Sequence, residues 1–399
     1  MTPWRKRLGD LRQLIMQAER VYFEPDLFRL NVNNAIQTSR TVTFLIQKNK
    51  GDIRDFDHWY AANVLEPFRA DGIMDWLKEA RNHIEKEGDL EVNSECSLEV
   101  IFSYTDPGPH VSLKHDKMFF AGIKRLSRHV RNVFPTGIYR DSAIAIDRRW
   151  VATSLPGIEL IDALKHGYEK LRLVVDALDA HVGRSASDQL LWKPPTLESG
   201  RRRTYVKTED GKSYSQTSSP FEIDYESIPK LAEKYDLSKF RSAFQATGDP
   251  HETMKRFTET ATHVFSQAGT HVTIGFLLDT QGDVIRIASP NFADHADKLI
   301  FWNDLGRLAE SNRDFCGIIF VSEIWFRSGT RFPEKRISDL QIKGEGLQIV
   351  VANRDVCLMK TIPVVRDDKG ARLDDGAVEV TQLEPNFLAP LRRAWRART

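Results

Sequence analysis

Near Leu90 the apolar residues of this 399-residue chain change their spacing, and that change limits what the chain can fold into. Before it they recur every three to four residues. After it, in LEVNSECSLEVIFSY, they alternate with polar ones. The first period lays an apolar stripe along a helix, and the second sends alternate side chains to one face of a strand. Helices followed by mixed helix and antiparallel sheet predict an α+β chain.

Residues 1–89 read as helices. Leu8, Leu11, Leu14, Ile15 and Ala18 mark one stripe, and Phe28, Val32, Ala35, Ile36, Val42 and Ile46 mark a second behind Pro25, a favoured first helical position. A break at Lys50-Gly51-Asp52 precedes DFDHWYAANVLEPFR. The next helix has Asp71 as its cap, Gly88 as its stop and Ile73, Leu77, Ala80 and Ile84 as its stripe. Together these predict a four-helix bundle.

Residues 90–182 form a small α+β section. Two strand patterns flank MFFAGIKRLSRHVRNVF, which reads equally as helix or strand, and a long amphipathic helix follows Pro156. Residues 183–222 are poor in apolar residues and rich in Ser, Thr, Pro and charge, the composition of a linker or long loop. Residues 223–399 read as a C-terminal α+β domain. It contains helices around Ser227–Phe244 and His251–Gln267, a hairpin turning at Gln281-Gly282-Asp283, and the apolar strand CGIIFVSEIWF. Gly344-Glu345-Gly346 reads as a turn before a further strand.

Charge gives no global sign of a nucleic-acid partner, since 57 Lys and Arg stand against 56 Asp and Glu. Cys96, Cys316 and Cys357 are isolated and odd in number, which argues against a disulfide framework and a structural zinc site. The opening MTPWRKRLGDLRQ lacks the apolar run of a secretory signal, and no stretch approaches a membrane span. The expectation is a reduced, cytoplasmic protein without membrane contact.

The chain has no Gly-x-Ser-x-Gly, no phosphate-binding Gly-x4-Gly-Lys and no Gly-x-Gly-x-x-Gly, so no cofactor is expected. His110, His115, Asp106 and Asp116 could hold a divalent ion, but a turn-rich loop with incidental histidines accounts for them as well, and no metal is expected. Arg256 and His263 have the spacing of a catalytic pair yet fall opposite the stripe of Met254, Phe257, Ala261, Val264 and Phe265. Arg81 and Asn82 could face a groove shared with His58, beside His83. They equally suit i,i+4 pairs with Glu85 and Lys86. Arg201, Arg202 and Arg203 could touch phosphate, as could the tail Arg392–Arg398; a solvated loop also explains the triplet. Glu323 interrupts an apolar strand, where an unpaired buried carboxylate costs several kcal/mol. It must face solvent or find a partner such as Arg286 or Lys343.

The stretch from Thr43 to Glu91, with Arg81-Asn82 near its end, resembles the N-terminal helical module of an uncharacterised bacterial family. More distantly it is similar to HEPN domains, the helical bundles of ribonuclease toxins and phage-defence proteins. HEPN enzymes carry Arg-Asn or a similar pair followed a few residues on by His, where this chain has Lys86, Glu87 and Gly88. The resemblance implies an interaction or scaffold protein in phage defence or stress response, working through a protein partner or self-association. Its alternative is a metal-independent ribonuclease acting on RNA, in which Arg81 and Asn82 would steady the phosphorane charge and His58 or His83 would move the 2′-hydroxyl proton.

Overall fold

The computed structural model describes residues 2–106, 108–113, 116–184, 201–209, 213–217, 230, 233, 248–329, 335–368, 370–374 and 380–398. Apart from Lys230 and Glu233, the helix expected over Ser227–Phe244 lies outside these residues, as does the candidate ligand His115. In chain order the first elements are α1 (Pro3–Arg20), α2 (Pro25–Lys48), α3 (Phe56–Tyr60), α4 (Glu66–Arg69), α5 (Gly72–Lys86), β1 (Val92–Ile101) and β2 (His110–Val111). There follow α6 (Asp116–Phe119), α7 (Ile123–Val133), α8 (Thr136–Tyr139), β3 (Ala143–Ala152), α9 (Leu160–His181), β4 (Arg202–Glu209) and β5 (Ser213–Thr217). The remainder comprises α10 (Pro250–Ala268), β6 (Ile274–Leu278), β7 (Val284–Ala288), α11 (His295–Ser311), β8 (Gly317–Arg327), β9 (Ile342–Asn353), β10 (Cys357–Asp367), β11 (Gly370–Leu373) and α12 (Ala389–Arg396). The fold class is α+β, with one sheet ordered β2-β1-β3-β4-β5 and another ordered β11-β10-β9-β8-β6-β7.

Contacts divide the chain into two units interleaved in sequence. The first holds residues 1–98, 112–126 and 146–204, and the second holds 99–111, 127–145 and 205–399. In the first unit the predicted stripes are buried: Leu8, Leu11, Ile15 and Ala18 on α1, and Phe28, Val32, Ala35, Ile36, Val42 and Ile46 on α2. The fourth long helix of this bundle is α9, which packs on α1, α2 and α5, whereas the Phe56–Arg69 stretch forms short α3 and α4 around a π turn at Ala61–Leu65. Asp71 caps α5 by accepting from Ile73 N and Met74 N, and its other oxygen meets His166 Nε2 on α9 at 2.7 Å. Gly167 on α9 lets Leu77 of α5 approach, because a Cβ there would overlap that side chain.

Below the bundle's surface lies a polar knot. Glu159 caps α9, accepting from Ile161 N at 2.8 Å and Asp162 N at 3.1 Å. The Tyr22 hydroxyl lies 3.0 Å from Glu159 Oε1 and 3.2 Å from Arg148 O, and Trp150 Nε1 donates to Tyr22 O at 2.9 Å. Arg148 is fully buried and donates to Ala121 O at 2.6 Å and Phe119 O at 3.3 Å, with its guanidinium over the Trp150 ring. Burial pushes the Glu159 carboxyl up to about 7, and Arg202 opposes the rise. Burial also raises the Tyr22 phenol.

In the second unit the six-stranded sheet has apolar cores on both faces. Met254, Phe257, Ala261 and Phe265 of α10 cover one face against Ile319, Val321, Leu347, Ile349 and Val351. Phe301, Trp302 and Leu305 of α11, with Leu391, Ala394 and Trp395 of α12, cover the other against Ile318, Phe320 and Val350. Burial on both faces explains the unbroken run Ile318–Val321, since neither side of β8 there meets water. The hairpin at Gln281-Gly282-Asp283 forms as read, joining antiparallel β6 and β7. Gly344 and Gly346, expected in a turn, lie inside β9 opposite Phe326 and Ile324. A Cβ at Gly346 would press on Thr361 Cγ2 at 2.9 Å and on the Phe326 ring at 3.4 Å, so close side-chain approach accounts for that glycine. The ambiguous stretch after Met118 resolves as helix, chiefly α7.

Candidate interaction surface

The residues singled out from the sequence are largely taken up by neighbours. Arg81 pairs with Glu85 at 2.6 Å and lies over the Phe44 ring, and its Nη1 is 3.4 Å from Asn82 Oδ1. His83 Nδ1 is 3.1 Å from Glu87, and His83 lines a groove of roughly 380 Å³ with Trp76, Glu79, Leu90, Glu91 and Ser154. His58 is exposed on α3. Among the described residues no hydrogen bond or ion pair joins it to Arg81, Asn82 or His83. Arg256 pairs with Glu252, and no cluster of three metal-ligating side chains occurs among the described residues.

Arg201, Arg202 and Arg203 lie at the start of β4, inside the stretch expected to be a linker, and each finds carboxylates. Arg201 is 3.6 Å from Glu95, Arg202 is 3.1 Å from Glu19 and 3.3 Å from Asp162, and Arg203 is held by Asp147 at 2.6 Å. The triplet therefore offers little net positive charge to a phosphate. The tail arginines anchor α12 instead: Arg392 donates to Asn353 O and Arg354 O, Arg393 to Thr105 O, and Arg398 to Asn312 O and Phe315 O.

The surface that stands out is the far end of β8 and the start of β9. Both strands are buried through their middles and outrun their helical cover at this end. Trp325, Phe326 and Ile342 are 56%, 48% and 46% exposed, and they sit on paired strands, with Arg327 opposite Ile342 and Trp325 opposite Glu345. Clustered large apolar side chains left in water mark contact sites more often than single ones do. Glu323 stands at the boundary between buried and exposed strand. Its partner is Arg366, at 3.0 Å, not Arg286 or Lys343, and it also accepts from His271 N. Arg366 Nε reaches Glu345 at 2.6 Å and Nη1 reaches Gly269 O at 3.2 Å, so one guanidinium ties β8, β9 and β10 together at the base of the exposed end. Those carboxylates raise the Arg366 pKa, Glu345 most of all. Glu323 was the visible signal in the sequence: a charge inside an apolar strand marks where burial stops, and the aromatics beyond it are therefore surface residues.

A family profile described as bacteriophage lambda protein ea47 matches residues 2–399. The chain belongs to the bacteriophage lambda ea47 family. Protein ea47 of Escherichia phage lambda is 32% identical over 401 residues, covering 98% of this chain and 97% of that protein. No solved structure matches. The ea47 match takes in the helices and both sheets alike, and it does not show the HEPN likeness expected for the stretch from Thr43 to Glu91. No helix among the described residues is long and apolar enough to cross a membrane.

Proposed function

We propose that this ea47-family protein acts during phage infection by holding another macromolecule, and that it does so at the exposed end of β8 and β9. The carrying observation is the set Trp325, Phe326 and Ile342, three large side chains kept in water on strands otherwise shielded on both faces. Keeping an exposed Trp costs solubility, and Trp is over-represented among the residues that dominate binding energy. The phage membership of the family supports the infection setting, in line with the interaction role read from the sequence. A photo-crosslinking amino acid at position 325 tests the idea in phage-infected cells, with position 27 of the first unit as an equally exposed control. Adducts to another macromolecule are expected from 325 and not from 27. No adduct at 325, or equal labelling from both, ends the proposal.

The rival is metal-independent RNA cleavage by Arg81 and Asn82 with His58 or His83. Its supporting feature is that His83 borders a groove, while Arg81 is already committed to Glu85. Cleavage by purified protein that survives EDTA and vanishes in a folded Arg81→Ala variant would put this reading in place of the first.

A further inference from the structure

The most one-sided run of charge in this chain falls on α7 and its flanks. From Lys117 to Arg140 there are six Lys and Arg and no Asp or Glu, in a protein whose formal charge is only +1. Helical spacing separates α7 (Ile123–Val133) into two faces. Ile123, Leu126, Ser127 and Val130 are buried, whereas Lys124, Arg125, Arg128 and Asn132 are exposed and Arg131 is half-buried. With 3.6 residues to a turn, the four cations and Asn132 fall within a sector of about 120°. Lys124 and Arg131 stand about 10 Å apart along the axis, with Arg128 between them. All of them lie on one uninterrupted helix, so the helix alone fixes this spacing.

Many other surface cations of this protein meet carboxylates, as Lys78 meets Asp75 and Glu79 and Arg149 meets Glu95. The side chains of Lys124, Arg125, Arg128 and Arg131 form no hydrogen bond or ion pair among the described residues, and Arg131 Nη1 is buried without an acceptor. Nor does the pattern serve the helix itself. Lys124 with Arg128, Arg125 with Arg128, and Arg128 with Arg131 are like charges three or four residues apart, which disfavours the helix. Lys124 and Arg125 also oppose the helix dipole in a first turn that has no acidic residue. A polyanion lying along this face relieves every one of these repulsions.

What else the face carries decides which polyanion fits. The apolar stripe of α7 is buried in the protein, so it is not free to enter a lipid surface. The helix has no Phe, Tyr or Trp on which an unpaired base would stack. Duplex DNA presents phosphates at a fixed spacing on both sides of a major groove about 12 Å wide, close to the diameter of a helix with its side chains. The same groove in duplex RNA is too deep and narrow for side chains to read. Arginine is suited to phosphate, and Arg and Asn side chains also pair with base edges in the DNA major groove. We propose that α7 binds duplex DNA, with Lys124, Arg125, Arg128 and Arg131 against the phosphates that border the major groove. The site uses no residue of the β8–β9 end, so its failure leaves that reading as it stands.

Fluorescence anisotropy of the full chain with a labelled DNA duplex of about 20 base pairs, at several salt concentrations, tests it. Four phosphate contacts predict a slope of log affinity against log salt of about −3 to −4. Arg128→Ala should weaken binding roughly 5- to 10-fold at low salt and flatten the slope by about one, and adding Lys124→Ala should flatten it by about two in all. Arg128→Lys keeps the charge and should restore most of the affinity. Lys78→Ala, which removes an exposed cation already paired with Asp75 and Glu79, should change neither affinity nor slope. Circular dichroism and melting temperature check the fold, and the alanine variants should melt no lower than wild type, because each removes a repulsion at an exposed helical position. Arg128→Gln takes the place of Arg128→Ala if that variant melts early. Absence of binding at low salt, or affinity and slope indifferent to Arg128 and Lys124 in folded protein, overturns the proposal. Equal or tighter binding of single strands, duplex RNA, poly-glutamate or anionic vesicles overturns it as well.

Discussion

Replacing Glu159 with glutamine should change how the protein's stability depends on pH, and the size of the change follows from the buried knot around Tyr22. The residue is 2% exposed, and burial raises its carboxyl pKa from 4.5 to about 7 on folding. A raised carboxyl pKa means that the folded chain keeps its proton while the unfolded chain loses it. The group's contribution is therefore most favourable below about pH 4.5. It falls as pH rises towards 7 and stays low above that. Each pH unit crossed in this window is worth about 1.4 kcal/mol, which sums to about 3 kcal/mol. The glutamine side chain does not titrate, and its amide oxygen can still accept from Ile161 N and Asp162 N, so the cap of α9 survives. Every other titrating group is common to the two proteins and cancels in the difference. Glu159→Gln should thus be close to wild type in stability at pH 5 and more stable by about 3 kcal/mol at pH 8. Urea unfolding followed by tryptophan fluorescence at both pH values measures this, because Trp150 donates into the same knot. A difference between the two proteins that stays constant from pH 5 to pH 8 would refute the reasoning and show that Arg202, 3.8 Å from Glu159, holds the carboxylate charged in the fold.

Three further outcomes follow from the same structure. Arg148→Met should destabilise the first unit by roughly 1–3 kcal/mol, read by chemical denaturation, because the Ala121 carbonyl loses its buried donor while Phe119 O keeps Ser94 Oγ. Gly269→Ala should cost about 1 kcal/mol of thermal stability, since Gly269 ends α10 at a φ of +67° that a Cβ resists. Arg81→Ala should change stability by no more than about 0.5 kcal/mol, the worth of a surface i,i+4 pair, and a larger loss in urea unfolding would show that its contact with Phe44 helps hold the bundle.

Local pattern carried the parts of this protein that local physics controls. The α10 stripe, the Asp71 cap and the β6–β7 turn each depend on residues a few positions apart, and each was legible in the sequence. Joining α9 to α1, α2 and α5 was not, because periodicity records that a face is apolar and not which distant face will cover it. The same limit applies to charge. Arg201, Arg202 and Arg203 read as a basic run, and only folding brings Glu95, Glu19, Asp162 and Asp147 against them. Lys298 shows the reverse: in sequence it lies among acidic neighbours, yet Lys207 from a remote strand takes Asp294 and Asp297 and leaves Lys298 without an ion-pair partner among the described residues. Strand β8 contains both cases. Its composition made it a strand from end to end, but the helices on either side decided that Ile318–Val321 would be core and that Trp325 and Phe326 would be surface.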